Sequence, residues 1–482
     1  MEDSSTCSTA SGRRPFRYSS SSGSIDLPWF LHLDHEDEVV YDITESQQTV
    51  KSGTLTGLVE QLTRHDRLDS SFNETFLITF NTFMIAPELF DMLVQRFYIK
   101  PPEELDETEL DQWMEHKQHA IRLRVINVLR NWLERFWMEP DNEDTRNFLR
   151  HAYTLIKDSP EMMATPTSSH LLTVVDQRLQ GQHSLRRLIR TPTSSAPPPM
   201  VPKNMKKMKL LDLEPVECAR QLTILESGFH GRIKLSDCLN KGWQRRGPDN
   251  SDPSTAVNAM ILHSNQLANW VGETILSQSN MKKRVAMMKY FVNVAEECCN
   301  FNNFATLMSI ISGLGLTPVY RLRFTWSQVS RRTLATLDDL RQLMSSSRNF
   351  VQYRETLRDS EPPCVPFLGI YLTDLTFLED GIPNHTSTGH INFTKRAKTA
   401  SILHDLQQHQ ITSYPFQPVP ELQDFLTAGI RSAKDVHEMY DRSLDLEPRQ
   451  QGEEDLPGGS DVGYVATGSH MSSVVIASMV LK

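Results

Sequence analysis

The sequence predicts an all-α protein in which an N-terminal helical bundle is joined by a linker to a larger helical domain. Apolar residues recur every three or four positions in two long stretches, which is the spacing of one face of a helix. A stretch rich in Pro and Ser separates them, and such a composition is typical of a linker. The 482 residues are enough for roughly three folding units.

The first predicted helix begins near Thr54, and its apolar face carries Leu55, Leu58, Val59 and Leu62. Pro87 suits the first turn of a second helix, because proline lacks the amide hydrogen that this turn leaves unbonded. The stretch RLRVINVLRNWLERFW repeats the helical pattern. The helices up to about Ile156 therefore predict a bundle.

Composition sets the predicted domain boundaries. Serine-rich and acidic sequence at the N-terminus is too polar to bury much. The segment TPTSSAPPPMVP cannot continue a helix, and the acidic sequence after Gln451 is rich in Gly. We assign a disordered arm to residues 1–45, the helical bundle to 46–160, a basic linker rich in Pro and Ser to 161–208, the larger helical domain to 209–450, and a disordered tail to 451–482.

The linker region reverses the charge of the chain. Residues 183–211 contain Arg and Lys but no acid, and this favours a solvated basic connector. Two other functions stay open, namely contact with anionic lipid and a phosphorylation switch at Thr191 or Thr193.

The overall composition excludes several classes of protein. Fifty Lys and Arg against sixty Asp and Glu give a net charge of −10, which argues against a nucleic-acid-binding protein. The N-terminus lacks the basic and apolar pattern of a secretion signal. Six cysteines without CxxC spacing indicate a reducing compartment. We expect a cytoplasmic protein.

Common catalytic and cofactor-binding motifs are missing. The spacing of Gly242 and Gly247 resembles a phosphate-binding loop, but Pro248 stands where that loop has lysine. No HExxH and no GxSxG occurs. His404 and His409 have no further ligand nearby in sequence. We therefore expect no metal, no cofactor and no covalent catalysis.

The most distinctive pattern lies in residues 362–398. An apolar segment ends in the acids Glu379 and Asp380, breaks at Gly381 and Pro383, and restarts as a basic helix. This predicts a hairpin with an acidic tip and a basic return arm. The pattern is typical either of an ordinary capped and salt-bridged surface or of a wedge whose acid competes with a partner's bound phosphate or magnesium.

Seven blocks in the larger domain resemble the catalytic domain of Ras-family guanine-nucleotide exchange factors, in the same order and spacing. They are ECARQLTILES, NQLANWV, NFNNFATLMSIISGL, PVYRL, PPCVPFLGIYLTDLTF, INFTKRAK and SLDLEPR. In the N-terminal bundle, GTLTGLVEQLT and FLITFNTF are similar to the Ras exchanger motif domain that precedes the catalytic domain in that family.

The resemblance implies a protein that binds a Ras-like small GTPase, of the Ras or Rap type, distorts its nucleotide site and lets GDP leave. In the family the hairpin pushes one switch of the GTPase aside. The matching positions here are Thr373, Thr376 and Asp380 on the first arm and Lys398 on the second. An acid suits this position because it repels phosphate and can pair with the phosphate-binding lysine of the GTPase.

The resemblance also implies an apolar pocket for the other switch of the GTPase. The matching positions are Ile261, Asn265, Met308, Gly315, Tyr320, Phe367 and Gly369, with Asn349 nearby. At Thr376, Gly315 and Ile382 the chain departs from a well-studied animal member of the family, which has leucine at the first position and asparagine at the other two.

Other interpretations remain open from the sequence. One is a GTPase-binding scaffold without exchange activity, for which Thr376 and Ile382 are the support. Another is a membrane-targeting adaptor that acts through residues 183–211 and is recruited to the plasma membrane. The family pattern also allows a second GTPase between the two domains. We expect the N-terminal bundle to brace the hairpin.

Overall fold

The computed structural model describes residues 27–43, 48–181, 196–244 and 255–448. These residues are mainly helical, which confirms the predicted all-α class with one small exception. Three short strands form an antiparallel sheet in the order β1-β2-β3.

The N-terminal domain consists of two strands followed by helices packed around one apolar core. The strands are β1 (Val39–Ile43) and β2 (Gln48–Gly53). The helices are α1 (Leu55–Leu62), α2 (Ser70–Thr79), α3 (Ala86–Phe97), α4 (Glu107–Trp113), α5 (His119–Arg135), α6 (Glu143–Asp158), α7 (Pro160–Ala164) and α8 (Ser168–Leu179). Thr54 caps α1 by accepting a hydrogen bond from Gly57 N at 3.0 Å, so the predicted helix start is confirmed.

The predicted boundary of this domain at residue 160 is wrong. Helices α7 and α8 lie inside the predicted linker, and Leu171 and Val175 of α8 are fully buried. Arg178 Nε donates to Leu133 O at 2.7 Å, which fastens the end of α8 to α5. The domain therefore extends to about residue 181. Residues 182–195 of the predicted linker, which include Thr191 and Thr193, lie outside the described residues.

The prediction of a disordered arm is wrong for residues 27–43. Lys117, which is only 3% exposed, donates to His32 O and to Asp34 Oδ1, each at 2.7 Å, and to Phe30 O at 3.4 Å. A buried lysine thus satisfies the polar groups of the arm, which is why its polar composition did not prevent order. Residues 1–26 lie outside the described residues.

A second buried charge fixes the same arm. Glu60 accepts hydrogen bonds from Asp34 N at 3.0 Å and His35 N at 2.6 Å. Arg96 pairs with Glu60 at 2.8 Å and with Asp34 at 2.9 Å. Burial raises the pKa of Asp34, but Lys117 and Arg96 outweigh it, so the net shift is downward.

The C-terminal domain is also helical. Its elements are α9 (Pro215–His230), α10 (Leu235–Cys238), α11 (Ala256–Leu276), α12 (Met281–Asn300), α13 (Phe304–Gly315), α14 (Thr317–Tyr320), α15 (Arg323–Ser327), α16 (Arg331–Leu343), α17 (Val351–Asp359), α18 (Leu368–Gly381), β3 (Ile391–Asn392), α19 (Phe393–Gln408), α20 (Pro420–Arg431) and α21 (Val436–Leu446). Helix α12 buries Met288, Val292 and Cys298, which belong to the core. The predicted tail, 451–482, lies outside the described residues.

The small sheet joins the two domains. Ser52 and Gly53 of β2 pair with Asn392 and Ile391 of β3, which directly precedes α19. The sequence analysis did not predict this sheet, and β3, with only two residues, is too short to show a strand pattern. Among the described residues, no helix is long and apolar enough to span a membrane.

Replacing Lys117 with methionine should destabilise the protein by about 2 to 3 kcal/mol, because two carbonyls and Asp34 lose a charged donor. Denaturant unfolding measures the change. The matched control is Lys434→Met, which removes an exposed ion pair with Glu438 and should cost at most about 0.5 kcal/mol.

The difference between wild type and Lys117→Met should also depend on pH. Because the pKa of Asp34 is lowered in the folded state, its contribution is present at neutral pH and is lost as pH falls below about 4. The difference should shrink over that range. An equal effect of the Lys117 and Lys434 variants would contradict the role of Lys117.

Candidate functional site

The predicted hairpin is present, with α18 as its first arm and α19 as its return arm. A loop of residues 382–390 connects α18 to β3 and α19. Asn392 N donates to Asn384 O at 2.9 Å, and Thr386 N donates to His390 O at 2.8 Å. These bonds close the loop on itself.

The basic side chains at the start of the return arm are mostly buried, contrary to the surface arm that the sequence suggested. Lys395 and Arg396 are each 1% exposed. Lys395 Nζ donates to Asn384 Oδ1 at 2.8 Å and pairs with Glu379 Oε1 at 3.1 Å. Arg396 Nη2 donates to the same Asn384 oxygen at 3.0 Å. The two arms and the connecting loop are therefore tied together below the tip.

The N-terminal domain holds the return arm in place. The ring of Phe72 in α2 stacks on Phe393 with the ring centroids 4.6 Å apart. The Arg396 guanidinium lies 5.7 Å from the ring centroid of Phe83, an arrangement of the cation–π type. Together with the pairing of β2 and β3, these contacts support the hairpin from outside.

The predicted wedge residues of the first arm share one face of α18. Thr373, Thr376 and Asp380 follow one another at three- and four-residue spacing, so their side chains lie along one stripe of the helix. Thr376 Oγ1 donates to Leu372 O at 2.7 Å, and its hydroxyl proton is thus used within the helix.

Sequence reasoning missed Phe377, which lies four residues after Thr373 on the same side of the helix. Its side chain is 70% exposed. The sequence contained a signal for it. Leu372 and Leu375 mark the buried face of the helix, and Phe377 falls outside that face. An exposed aromatic ring beside candidate contact residues is typical of an interaction surface.

Asp380 stands at the end of the first arm and forms an ion pair with Lys241. The Asp380 side chain is 63% exposed. Lys241 belongs to the segment Leu239–Gln244, where Asn240 and Lys241 both have left-handed backbone, with φ of 49° and 53°. Lys241 thus orients the carboxylate, a contact that the sequence could not reveal. Lys398 is exposed on the return arm.

Phe367 and Gly369 form one unit before and within the first turn of α18. A Cβ atom on Gly369 would lie 2.3 Å from Phe367 Cζ, so the ring covers the glycine. Phe367 N donates to the hydroxyl of buried Tyr353 at 2.8 Å, and burial raises the pKa of Tyr353 well above its ordinary value. The hydroxyl therefore stays protonated.

Asn349 lies close to this unit. It has a left-handed backbone with φ of 57°, and the next residue, Phe350, packs against Phe367 with the ring centroids 5.9 Å apart. Arg354 Nε donates to Asn349 O at 2.9 Å, and Arg354 also pairs with Asp374 of α18 at 2.8 Å. The structure therefore brings Asn349 and Phe367 together.

The remaining candidates lie on the neighbouring helices α11, α13 and α14. Ile261 is half-buried and Asn265, one turn further along α11, is exposed. Met308 of α13 is buried, so it can only support the surface from below. Gly315 ends α13, and Tyr320 at the end of α14 is half-exposed. No group of three or more His, Cys, Asp or Glu in the described part of the chain could hold a metal ion.

Comparison with protein families identifies both domains. Residues 217–397 match the RasGEF domain, and residues 49–155 match the RasGEF N-terminal motif. The chain belongs to the RasGEF family. The RasGEF match contains the whole of α18, the connecting loop and the buried start of α19, and it ends before Lys398.

Several curated proteins are similar over most of this chain. Cell division control protein 25 of Candida albicans is 38% identical over 436 residues, 89% of this chain and 32% of that protein. The protein of the same name from Saccharomyces cerevisiae is 34% identical over 454 residues, 88% of this chain and 28% of that protein. Ras guanine nucleotide exchange factor J of Dictyostelium discoideum is 33% identical over 416 residues, 85% of this chain and 49% of that protein. The chain thus spans less than half the length of these relatives.

Gly369→Ala should destabilise the RasGEF domain by about 1 to 3 kcal/mol, because the added methyl group overlaps the Phe367 ring. The matched control is Gly228→Ala in α9, where a Cβ meets nothing within 4 Å. That change should be neutral or stabilising by up to about 1 kcal/mol, since alanine favours the helix. Denaturant unfolding measures both variants.

A double variant separates the overlap from other effects. If the Phe367 ring causes the strain, Phe367→Ala combined with Gly369→Ala should cost less than the sum of the two single changes. Additive costs, or equal stability of Gly369→Ala and Gly228→Ala, would contradict this packing.

Proposed function

We propose that this protein is a guanine-nucleotide exchange factor that binds a Ras-family small GTPase, opens its nucleotide site with the hairpin, and promotes release of GDP and loading of GTP. The observation that carries the proposal is a hairpin whose two arms are tied together near the connecting loop, and whose first arm, inside the matched RasGEF domain, exposes Phe377 and Asp380. The three relatives include one whose name states exchange on Ras.

No covalent chemistry is needed for this activity. An exchange factor binds the nucleotide-free, opened GTPase more tightly than the GDP-bound form, and this difference in affinity weakens nucleotide binding by the same factor. The free energy comes from the contacts in the complex. The hairpin must therefore keep its shape, since a wedge that bends would lose the difference between the two states.

The exposed face of α18 supplies the side chains for this step. Thr373, Thr376 and Phe377 contact the displaced switch of the GTPase. Asp380 at the end of the face opposes the phosphates and attracts the lysine that bound them. Lys241 holds the Asp380 carboxylate before the GTPase arrives and gives it up to the GTPase lysine in the complex. Lys398 provides an exposed positive charge on the return arm.

A separate apolar surface holds the other switch. Phe367, packed on Gly369 and next to Phe350, is half-buried and thus shaped in advance for an apolar partner. Ile261 and Tyr320 add apolar surface, and Asn265 and Asn349 add exposed amide groups. An apolar centre with polar groups around it is the arrangement of a binding hot spot.

We also propose that the GTPase is of the Ras or Rap type. A second GTPase between the two domains is an arrangement that the family pattern allows, and we include it in the proposal. Residues 183–211 contact anionic lipid, because they carry only basic charges. A cytoplasmic protein would in this way be recruited to the plasma membrane.

The test is the release of fluorescent GDP from purified Ras, Rap and Ral proteins in the presence of the whole chain. We expect faster release from a Ras or Rap protein. Binding of the GTPase without faster release would instead show a scaffold. Binding only to anionic vesicles would show a membrane adaptor.

Asp380→Ala should slow GDP release about tenfold, the equivalent of about 1.4 kcal/mol in the barrier, because the phosphates are no longer opposed by a charge. Asp380→Lys should slow it further. Stability should change by less than about 1 kcal/mol, since the site is exposed.

The matched control for Asp380 is Asp338→Ala, which removes another exposed carboxylate that pairs with an arginine of its own helix. Its release rate should equal that of wild type. Unchanged release by both Asp380 variants would remove this residue from the mechanism.

A further inference from the structure

The motif SLDLEPR at residues 443–449 lies outside the matched RasGEF domain, which ends at residue 397. None of its residues belongs to the hairpin or is among the candidate contact residues named above. Its residues nevertheless reach back across the domain to the turn between α14 and α15.

Glu447 caps that turn with its side chain, which is 8% exposed. Its Oε2 accepts a hydrogen bond from Phe324 N at 3.0 Å. Its Oε1 accepts from Thr325 N at 2.9 Å and from Thr325 Oγ1 at 2.6 Å. One buried carboxylate thus satisfies two amide hydrogens at the start of α15 that the helix itself leaves without partners.

Two arginines complete the connection. Arg284, buried in α12, lies 3.7 Å from Glu447 Oε1 and donates to Thr325 Oγ1 at 3.1 Å. Arg321 Nη1 donates to Ser443 O at 2.7 Å and to Glu447 O at 2.9 Å. The end of α21 and residues 321–325 therefore fix each other through charged hydrogen bonds.

The residues held by this network alternate with two exposed aromatic side chains. Tyr320 precedes Arg321 and is 50% exposed, and Phe324 precedes Thr325 and is 55% exposed. A shift of the backbone at Arg321 or Thr325 would move both rings. Tyr320 is one of the candidate GTPase contacts, and the exposed ring of Phe324 follows it by four residues on the other side of Arg321.

We propose that Glu447 is a positioning residue that holds Tyr320 and Phe324 in place for GTPase binding, and that Phe324 is a further contact residue. This inference rests on the proposed exchange function. The hairpin is fixed by a different set of bonds, those of Lys395 and Arg396. Loss of Glu447 should therefore weaken GTPase binding and leave the release step intact.

The test compares Glu447→Gln with Glu438→Gln, which makes the same chemical change on an exposed residue of α21 that pairs with Lys434. GDP release is measured against GTPase concentration, below the melting temperature of each variant. We expect Glu447→Gln to raise KM about tenfold, as the loss of one charged hydrogen bond would do. Its kcat should stay within about twofold of wild type, and Glu438→Gln should match wild type in both constants.

A merely structural role for Glu447 predicts a different result. Partial unfolding would reduce the active fraction, and so lower the apparent kcat at an unchanged KM. That outcome would overturn the proposal, as would wild-type values of both constants. If neither the wild type nor any variant accelerates GDP release from any GTPase, the proposed function fails together with this inference.

Phe324→Ser provides a second test that does not depend on the buried network. The side chain is exposed, so this change should fold normally. It should raise KM severalfold at unchanged kcat. An unchanged KM for Phe324→Ser would contradict the contact role of Phe324, even if Glu447→Gln failed to fold.

Discussion

Two buried cations, Lys395 and Arg396, meet at the side-chain oxygen of Asn384. A buried charge is tolerated only where it is paired or hydrogen-bonded, so these side chains permit few positions of the surrounding backbone. Lys395 also binds Glu379 at the end of the first arm, and Arg396 faces Phe83 of the N-terminal domain. The shape of the hairpin and its attachment to that domain thus depend on one cluster.

The residues that make the hairpin rigid differ from those proposed to contact the GTPase. The buried side of the hairpin contains the charges that fix it, and the other side of α18 carries the half-buried Thr373 and the exposed Phe377 and Asp380. A wedge used to stabilise an opened GTPase needs both properties, because binding energy promotes release only if it is not spent on bending the wedge. Glu447 acts in a similar way elsewhere in the domain, because its carboxylate fixes the backbone at Phe324 and Thr325.

Local patterns predicted the helices, the helix start near Thr54 and the hairpin, because helical periodicity and breaks at Gly and Pro are short-range signals. The same reasoning failed where a distant residue decides the outcome. Lys117 orders an arm whose bonded residues lie 83 to 87 positions earlier and whose composition predicts disorder. The pairing of Lys241 with Asp380 spans 139 positions. Composition also placed the end of the N-terminal domain too early, since the polar start of α8 hides the buried Leu171.

If the fixed hairpin drives GDP release, loss of the acceptor shared by Lys395 and Arg396 in Asn384→Ala should slow that release. Asn384 is exposed overall, so the change leaves no cavity in the apolar core, and the exposed Asn147→Ala serves as the control. The measurement is GDP release from a saturating Ras-family GTPase, together with hydrogen exchange of residues 368–408. Asn384→Ala alone should show faster hydrogen exchange in the hairpin and GDP release slowed about tenfold. Faster hydrogen exchange in the hairpin with GDP release at the wild-type rate would show that release does not depend on a fixed hairpin.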